Sequence, residues 1–304
     1  MKILISLINS NKVQSDRSVV CFDLQNKKMI WGIKDSSLSS CGMCYFDSAL
    51  WFAGDNNVTK IDRQQTFRFD YQSKYPMELH SIHPIGKGQL GLVDTGNSVI
   101  RIIDSMGKQV KKLSPLESWG DIPADVIHLN DFAVTPHGII ASCFDYRPYR
   151  KVREGIPWSK WCSQRYGILI NVTGNHVVGP GAIVGCGFNH PHSLVYHEPF
   201  AYLCSSATGS FVRIAFDKDG FVQQKREYHI TSNHFLRGAM RVGKNWVLGG
   251  SSMRHGEVLN STASLFFFNE NTKLIREYDL GFPGDIYDII PCNDEIEHIV
   301  SSLR

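Results

Sequence analysis

The chain has 304 residues, of which 42% are hydrophobic and 11% aromatic, and this apolar content excludes an intrinsically disordered protein. Its 32 basic and 29 acidic side chains leave a formal charge of +3, which is too small for the broad basic surface of a nucleic-acid-binding protein. No stretch approaches the roughly 18 apolar residues of a membrane-spanning helix. We therefore expect a globular protein whose partners include no nucleic acid and no membrane.

The N-terminal segment contains a short apolar run at residues 3–8. This run is too short for the apolar part of a secretory signal, and polar residues soon follow it. We interpret it as a β-strand and expect a cytoplasmic protein. The 8 scattered cysteines agree with this interpretation, since a secreted disulfide scaffold would be shorter and denser in cysteine. Most of them are expected to be reduced and buried.

A four-strand pattern recurs along the chain. Its clearest copy has strands at residues 79–83, 89–93, 98–103 and 109–113, separated by turns with glycine or aspartate. The pattern begins again near Cys41, Asn130, His192 and Arg237. Four-stranded units that recur roughly every 40 to 60 residues are typical of a β-propeller, in which neighbouring blades bury each other's sheet faces.

The last unit is incomplete, because its opening strand at residues 286–290 is followed by only a short apolar segment. The N-terminal strands at residues 2–8, 19–24 and 28–33 can supply the missing strands. Such closure removes the exposed sheet edges that would invite aggregation. The sequence therefore predicts an all-β fold, a six-bladed β-propeller over residues 1–304, closed by N-terminal strands that complete the last blade.

Polar residues recur at one position of the opening strands, just before the first small residue of each strand. At this position stand Cys41, His80, Asn130, His192, Arg237 and Tyr287. Two positions earlier stand Ser39, Glu78, His128, His190, Phe235 and Asp285. Because strand side chains alternate with period two, both sets are expected on the same side of extended strands, as two stacked rings around the central channel.

Four of the 12 histidines fall in these rings, beside carboxylates and an arginine. Neutral imidazoles with carboxylates bind zinc, iron or manganese in preference to calcium, and an imidazole without metal can act as a general base. The predicted metal ligands are His80, His192, Asn130 and Glu78. The predicted catalytic residues are His80, His128, His190, Glu78 and Asp285. The alternative is a structural role, in which these side chains satisfy backbone groups at the strand ends.

The predicted substrate-binding residues are Arg237, Asn130, Tyr287, Trp158 and Trp161. Arg237 suits a carboxylate, phosphate or sulfate. The two tryptophans lie in a basic and aromatic insertion at residues 145–165, which should emerge on the channel face, and long loops of this kind often bind ligands. The alternative is a loop that only packs across the channel. Of the remaining histidines, we expect His83 and the others on turns or the surface.

Five motifs in order resemble a bacterial family of six-bladed propellers that has no assigned reaction. They are Glu78-Leu79-His80, Asp94-Thr95-Gly96-Asn97-Ser98, His128-Leu129-Asn130-Asp131, Pro191-His192-Ser193 and Leu236-Arg237-Gly238. The architecture also resembles the gluconolactonase, regucalcin and strictosidine-synthase superfamily, whose metal lies in the channel on a Glu/Asn/Asp set. Asn130 and Glu78 are the counterparts of that set here, and the histidines at other ring positions argue against calcium and lactone hydrolysis.

These features lead us to expect an enzyme that acts on a small polar or anionic substrate, sugar-like or a secondary metabolite. The reaction is expected to be a metal- or histidine-assisted hydrolysis, elimination or isomerisation, which makes the protein a hydrolase, lyase or isomerase. The alternative is a non-catalytic propeller that binds a glycan or a partner protein through its loop face. Asp131 and Asp288 are expected to hydrogen-bond to neighbouring blades rather than to do chemistry.

Overall fold

The computed structural model describes residues 1–8, 17–34, 38, 40–54, 56–116, 124–145, 156, 160, 163–252, 262–282 and 284–301, without the side chains of residues 40, 41, 252 and 274. Within these residues the strands form six four-stranded antiparallel sheets arranged in a ring. The prediction of an all-β, six-bladed propeller is confirmed.

The strands follow one another along the chain in blade order. The N-terminal strands are β1 (Lys2–Ile8), β2 (Val19–Asp23) and β3 (Lys28–Ile33). Blade 1 contains β4 (Ser40–Phe46), β5 (Ala49–Gly54), β6 (Val58–Ile61) and β7 (Thr66–Phe69). Blade 2 contains β8 (Leu79–Gly86), β9 (Gln89–Asp94), β10 (Val99–Asp104) and β11 (Gln109–Leu113). Blade 3 contains β12 (Leu129–Thr135), β13 (Gly138–Cys143), β14 (Gly167–Asn171) and β15 (Ala182–Phe188).

The second half of the chain continues the same arrangement. Blade 4 contains β16 (Pro191–His197), β17 (Phe200–Ser205), β18 (Ser210–Phe216) and β19 (Val222–His229). Blade 5 contains β20 (His234–Val242), β21 (Asn245–Ser252), β22 (Ser264–Asn269) and β23 (Leu274–Asp279). The last strand, β24 (Asp285–Cys292), is the inner strand of blade 6, whose order is β24-β1-β2-β3.

Blade 6 is closed by both ends of the chain. Strand β24 pairs antiparallel with β1 from Lys2 opposite Cys292 to Ile8 opposite Asp285, as the sequence predicted. A helix, α1 (Asp294–Ser301), follows β24 and packs its apolar face on the core beside Trp31. In the part of the chain that the structure describes, no helix has the length and hydropathy needed to cross a bilayer.

The core lies between the blades. Alternation along β9 directs Leu90 and Leu92 toward the interface with blade 1, where they pack with the fully buried Trp51. Val93, on the opposite face, packs at the interface with blade 3. Each interior strand of a blade therefore stabilises two interfaces, which explains why its apolar run is nearly continuous.

The inner strands β4, β8, β12, β16, β20 and β24 contact one another in sequence around the ring, and β24 contacts β4. Their close approach explains the small residues that punctuate the opening strands. A Cβ atom on Gly42 would lie 2.7 Å from the His80 carbonyl oxygen of the next blade. Gly238 has a φ of +70°, a left-handed conformation that glycine adopts without strain. The pairing register of the inner strands is also irregular at this level, for example between Leu79 and Ile82.

Candidate functional site

Ring residues from four blades meet where the inner strands begin. The imidazole centroid of His80 lies 5.2 Å from that of His128 and 5.8 Å from the Tyr287 ring, and His192 lies 6.3 Å from Tyr287. His80, His128, His190 and His192, which we call the histidine cluster, are each less than 9% exposed. Residues far apart in the sequence are therefore brought together at the channel mouth.

The backbone conformation that brings these histidines together differs from the extended strands that the sequence predicted. Extended pairing through both ring positions is wrong, because His128 and His190 precede β12 and β16 and have left-handed φ values of 49° and 45°. The irregular register just beyond each ring position interrupts the alternation as well. The two rings are thus parts of one cluster rather than two stacked layers of equal geometry.

Phe144 fills the space between three members of the histidine cluster, and the sequence did not single it out. Its ring centroid lies 4.3 Å from His128, 5.0 Å from His190 and 4.9 Å from His192. It follows β13 directly, and its backbone N–H donates to the Ile127 carbonyl at 3.1 Å. Its position as the last apolar residue before the insertion at residues 145–165 is the signal that could have identified it.

The protonation of His80 follows from its partner Thr95. The Thr95 hydroxyl donates its single proton to the Leu129 carbonyl of blade 3, and it therefore accepts from His80 Nδ1, 2.7 Å away. His80 must carry its proton on Nδ1, which leaves the lone pair of the neutral ring on Nε2. Thr95 opens a short 3-10 helix, η1 (Thr95–Asn97), directly after β9.

His192 repeats this arrangement two blades further on. Its Nδ1 lies 2.8 Å from the Ser206 hydroxyl and 3.0 Å from the His190 carbonyl, which can only accept. The Ser206 hydroxyl donates to the Leu236 carbonyl of blade 5 at 2.6 Å. Ser206 opens η2 (Ser206–Thr208), 14 residues after its histidine, whereas Thr95 follows His80 by 15. This near-equal spacing is a signal in the sequence that could have identified Thr95 and Ser206 as the partners of the two histidines.

The other two histidines are fixed in the same tautomer by neighbours that precede them in sequence. His128 Nδ1 lies 3.0 and 3.2 Å from the two carboxylate oxygens of the buried Asp125. His190 Nδ1 lies 3.1 Å from Asn189 Oδ1, and the amide nitrogen of Asn189 donates to the Gln164 carbonyl. All four imidazoles thus use Nδ1 to hold their orientation, so that the lone pair of each neutral ring is on Nε2.

Two members of the histidine cluster are held in the neutral form. Burial lowers the pKa of His80 well below its usual value, and electrostatic interactions with the neighbouring His128 and Arg237 side chains lower it further. Burial also lowers the pKa of His192 well below its usual value, with Arg237 as the largest charge contribution. At neutral pH both rings therefore offer a lone pair rather than a proton.

One group among the described residues can hold a metal ion, and it consists of Glu78, His80 and His128, with the potential ligand atoms all within 4.8 Å of one another. A carboxylate with two imidazoles is a donor set typical of zinc and related metals. Thr95 and Asp125 hold the Nδ1 side of the two rings, as outer partners of metal-binding histidines usually do. His192, predicted as a ligand, does not belong to this group.

Asn130 and His192 lie deeper in the channel. His192 Nε2 and Asn130 Nδ2 are buried and have no hydrogen-bond partner among the described residues. Together with Tyr287 they border a small cavity of about 10 Å³, which is about the space of one water molecule. These atoms therefore border unfilled polar space rather than closing the channel by bonding to each other.

The predicted anion-binding residue Arg237 lies at the same level and is 8% exposed. Its guanidinium carbon is 4.9 Å from the Phe235 centroid and 5.3 Å from the Tyr287 centroid. Rings on two sides fix the guanidinium plane by cation–π contact. Asp285, at the start of β24, is fully buried.

Some predictions concern residues outside the described part of the chain. They include Trp158 and Trp161, most of the insertion, and Ser39; for Cys41 the strand is described but the side chain is not. The insertion does begin at the channel mouth, because Cys143 at the end of β13 pairs with Leu129 at the start of β12.

The structure tests three further predictions, which concern single residues of the inner strands. Asp131 accepts a hydrogen bond from the Leu194 amide of blade 4 at 2.8 Å, and Asp288 accepts one from the Met43 amide of blade 1 at 3.0 Å. Their role between blades is confirmed. The placement of His83 on a turn or the surface was wrong, because it lies within β8 and its Nε2 is 2.8 Å from Asp131 Oδ1.

Comparisons with known proteins place the chain by fold only. No protein-family model and no curated protein sequence matches it. A protein of unknown function from Bacteroides caccae is 10% identical, with a TM-score of 0.65 over 96% of this chain and 99% of that one. Virginiamycin B lyase from Staphylococcus aureus is 11% identical, with a TM-score of 0.54 over 91% and 84% of the two chains.

A calcium-binding regucalcin from Agrobacterium tumefaciens is 12% identical, with a TM-score of 0.54 over 79% of this chain and 74% of that one. At such identities the likeness shows the shared propeller fold alone. It agrees with the resemblance to the regucalcin superfamily at the level of architecture, and the chemistry has to be argued from the residues of this chain.

Proposed function

We propose that this protein is an enzyme that acts on a small anionic substrate at the mouth of its central channel, by histidine-assisted elimination or hydrolysis with the help of a divalent metal. The observation that carries the proposal is the common tautomer of the histidine cluster, in which each Nδ1 is held by an acceptor. At His192 the Nε2 atom on the other side of the ring is buried and has no hydrogen-bond partner among the described residues, which suits a catalytic role better than a purely structural one.

Glu78, His80 and His128 would hold the metal, with zinc, iron or manganese favoured by the nitrogen donors. A metal bound there supplies a Lewis acid that polarises a substrate carbonyl or activates water. The residues of the chain supply its orientation: Thr95 fixes the ring of His80, and Asp125 fixes that of His128.

His192 suits the role of general base. It is neutral, its Nε2 is buried without a partner among the described residues, and Ser206 keeps Nδ1 protonated. A proton taken from the substrate or from water would go to Nε2, and the resulting charge would be shared with the hydrogen bonds at Nδ1. Base catalysis of this kind contributes about 10² to 10⁴ in rate.

Arg237 would couple substrate binding to this base. In the free protein its charge lowers the pKa of His192. An anionic substrate group at the guanidinium offsets that charge, so the pKa of His192 rises when such a substrate binds and the ring becomes a better base. The name of the similarly folded virginiamycin B lyase is compatible with elimination, although a shared fold supports a site's location better than its chemistry.

The first experiment is metal analysis of the purified protein after dialysis against Zn²⁺ or Mn²⁺. We expect one equivalent of metal, lost in His128→Ala, whereas His83→Ala, which changes a histidine outside the proposed metal group, retains it. The second is a mass-spectrometric screen of small carboxylates, sugar acids and sugar phosphates, in which His192→Asn should lose turnover and keep its thermal stability. A protein without metal that converts no substrate class would overturn the proposal and favour the non-catalytic propeller.

A further inference from the structure

The channel contains a second, larger cavity below the histidine cluster, which we call the lower-channel cavity. Its volume is about 430 Å³, within the range of about 300 to 1,000 Å³ that ligand pockets occupy. All six inner strands contribute to it, and in each the contributing residues follow the ring position, as His83 follows His80 and Ala239 follows Arg237. It therefore lies on the channel axis toward the mouth opposite the histidine cluster.

The walls of this cavity are mainly apolar. Met43, Val195, Ala239, Ile290 and Pro291 line it, and Ile296 of α1 stands at its edge. A ligand with a hydrocarbon body would remove further apolar area from water here.

Two carboxylates interrupt the apolar wall. Asp131 is balanced by His83 at 2.8 Å and by the Leu194 amide. Among the described residues, Asp288 accepts hydrogen bonds from two backbone amides and no side chain, those of Met43 at 3.0 Å and Ile289 at 2.8 Å. Among the residues that the structure describes, no lysine or arginine pairs with either carboxylate.

The charge of Asp288 is poorly compensated. Burial and the negative charge of Asp131 raise its pKa to about 6, although His83 and the two amides act in the opposite direction. The third titratable neighbour is the buried Cys44, whose thiol pKa is raised by burial and by the Asp288 charge. Against the effect of burial, the charges of Asp131 and Asp288 raise the pKa of His83, but its single imidazolium charge can offset only one of the two buried carboxylates. At pH 7.5 the second negative charge is left without a counter-ion, which is costly in a buried place.

A buried hydroxyl beside the small cavity also favours a charged or polar ligand at this site. The buried hydroxyl of Ser81 has no hydrogen-bond partner among the described residues, and it borders the small cavity that also touches Asp131 and Asp288. The two carboxylates thus border the small polar cavity on one side and the mainly apolar lower-channel cavity on the other. A ligand that carries a positive charge on an apolar body matches both.

We propose that the lower-channel cavity binds a small organic cation, with its ammonium group at Asp288 and Asp131 and its hydrocarbon body against Val195, Ala239 and Ile290. This site is separate from the histidine cluster and does not depend on the proposed reaction there. Binding weakens as the pH is lowered through about 6, because Asp288 then becomes protonated.

The test uses phenethylammonium as the probe and 2-phenylethanol as its neutral match. Methyl-labelled protein is titrated at pH 7.5, and we expect saturable NMR shifts at Ala239 and Ile290, with the alcohol at least tenfold weaker. Asp288→Asn keeps an oxygen that can accept from the backbone and should weaken the ammonium at least tenfold. Ala239→Phe places a ring where the hydrocarbon body of the ligand would lie and should abolish binding, which provides a second variant if Asp288→Asn does not fold.

The control is His80→Ala, which alters the histidine cluster and should leave phenethylammonium binding unchanged. Equal affinity for the alcohol and the ammonium would overturn the proposal, as would binding that persists in both cavity variants or shifts confined to residues near His80. The readout requires no turnover, so it separates this site from the proposed enzyme function.

Discussion

The hydroxyl of Thr95 offers the sharpest test of how the site is held. It donates to the Leu129 carbonyl of the next blade and accepts from His80 Nδ1, and it is fully buried. Thr95→Val keeps the shape of the side chain and removes both hydrogen bonds. Thr95→Ser keeps the hydroxyl and removes only a methyl group, which makes it the matched control.

The expected sizes follow from these contacts. In Thr95→Val a buried carbonyl and a buried ring N–H lose their partner, at about 1 to 3 kcal/mol for each group left unsatisfied. In Thr95→Ser the loss is that of one buried methyl group, about 0.5 to 1.5 kcal/mol. We therefore expect the valine variant to be less stable than the serine variant by at least about 0.5 kcal/mol, although it is the bulkier of the two.

Urea unfolding followed by tryptophan fluorescence at pH 7.5 measures the two free energies. Two-bond ¹H–¹⁵N spectra of the imidazoles report the tautomer, and they should show His80 protonated at Nδ1 in wild type and in Thr95→Ser, with this preference lost in Thr95→Val. Equal stabilities of the two variants would refute the reasoning, as would a wild-type His80 protonated at Nε2.

Three further predictions concern stability. Trp51→Ala should reduce the free energy of unfolding by about 3 to 5 kcal/mol, because the ring is fully buried between blades 1 and 2, whereas His192→Ala should fold nearly intact; equal losses in urea unfolding would argue against a chemical role for His192. Asp94→Ala should cost about 3 to 5 kcal/mol, since it leaves the buried Arg101, 2.6 Å from Asp94 Oδ2, without its counter-ion, and an unchanged urea midpoint would contradict this. The pKa values of His80 and His192 are lowered in the folded protein, so below about pH 6.5 these two histidines bind more protons in the unfolded chain. The wild type should therefore lose stability relative to a His80→Gln/His192→Gln variant as the pH falls from 7.5 to 5.5, by up to about 1.4 kcal/mol per pH unit for each histidine. A stability difference that stays constant with pH would contradict this.

The fold could be predicted because its signal is redundant. The strand pattern repeats in every blade, and the sheet face of each blade must be apolar, so errors in single boundaries do not change the architecture. The segment after β24 is the exception. It forms α1, whose Ile296, Ile299 and Val300 pack on the core, and it is too short for a helical period to be recognised with certainty from the sequence.

The site could be predicted only in part. Alignment of the opening strands brings His80 and His192 to the axis, since one position per blade faces it. The left-handed backbone of His128 lies outside that periodic reasoning and depends on the turn before β12. As a result the group of potential metal ligands in the structure contains His128, whereas the prediction from the sequence had named His192.

Partners of the ring residues were harder still to predict, because they come from second strands and neighbouring turns. Thr95, Asp125 and Ser206 are ordinary polar residues in the sequence, and only the three-dimensional contact with a histidine gives them a role. The lower-channel cavity was missed because the irregular register beyond each ring position redirects Asp131 and His83 to the axis, where strict alternation would not place them.

The hydroxyls that link successive blades have a consequence for rearranging the protein. Three of them, at the ends of second strands, donate to the carbonyl just before the next ring residue: Thr95 to Leu129, Ser206 to Leu236 and Ser251 to Ile286. Each donor and its acceptor belong to different blades. A chimera that exchanges blade 5 alone with that of a relative therefore separates two of these pairs at once, whereas an exchange unit running from the middle of one blade to the middle of the next would transfer each donor together with its acceptor.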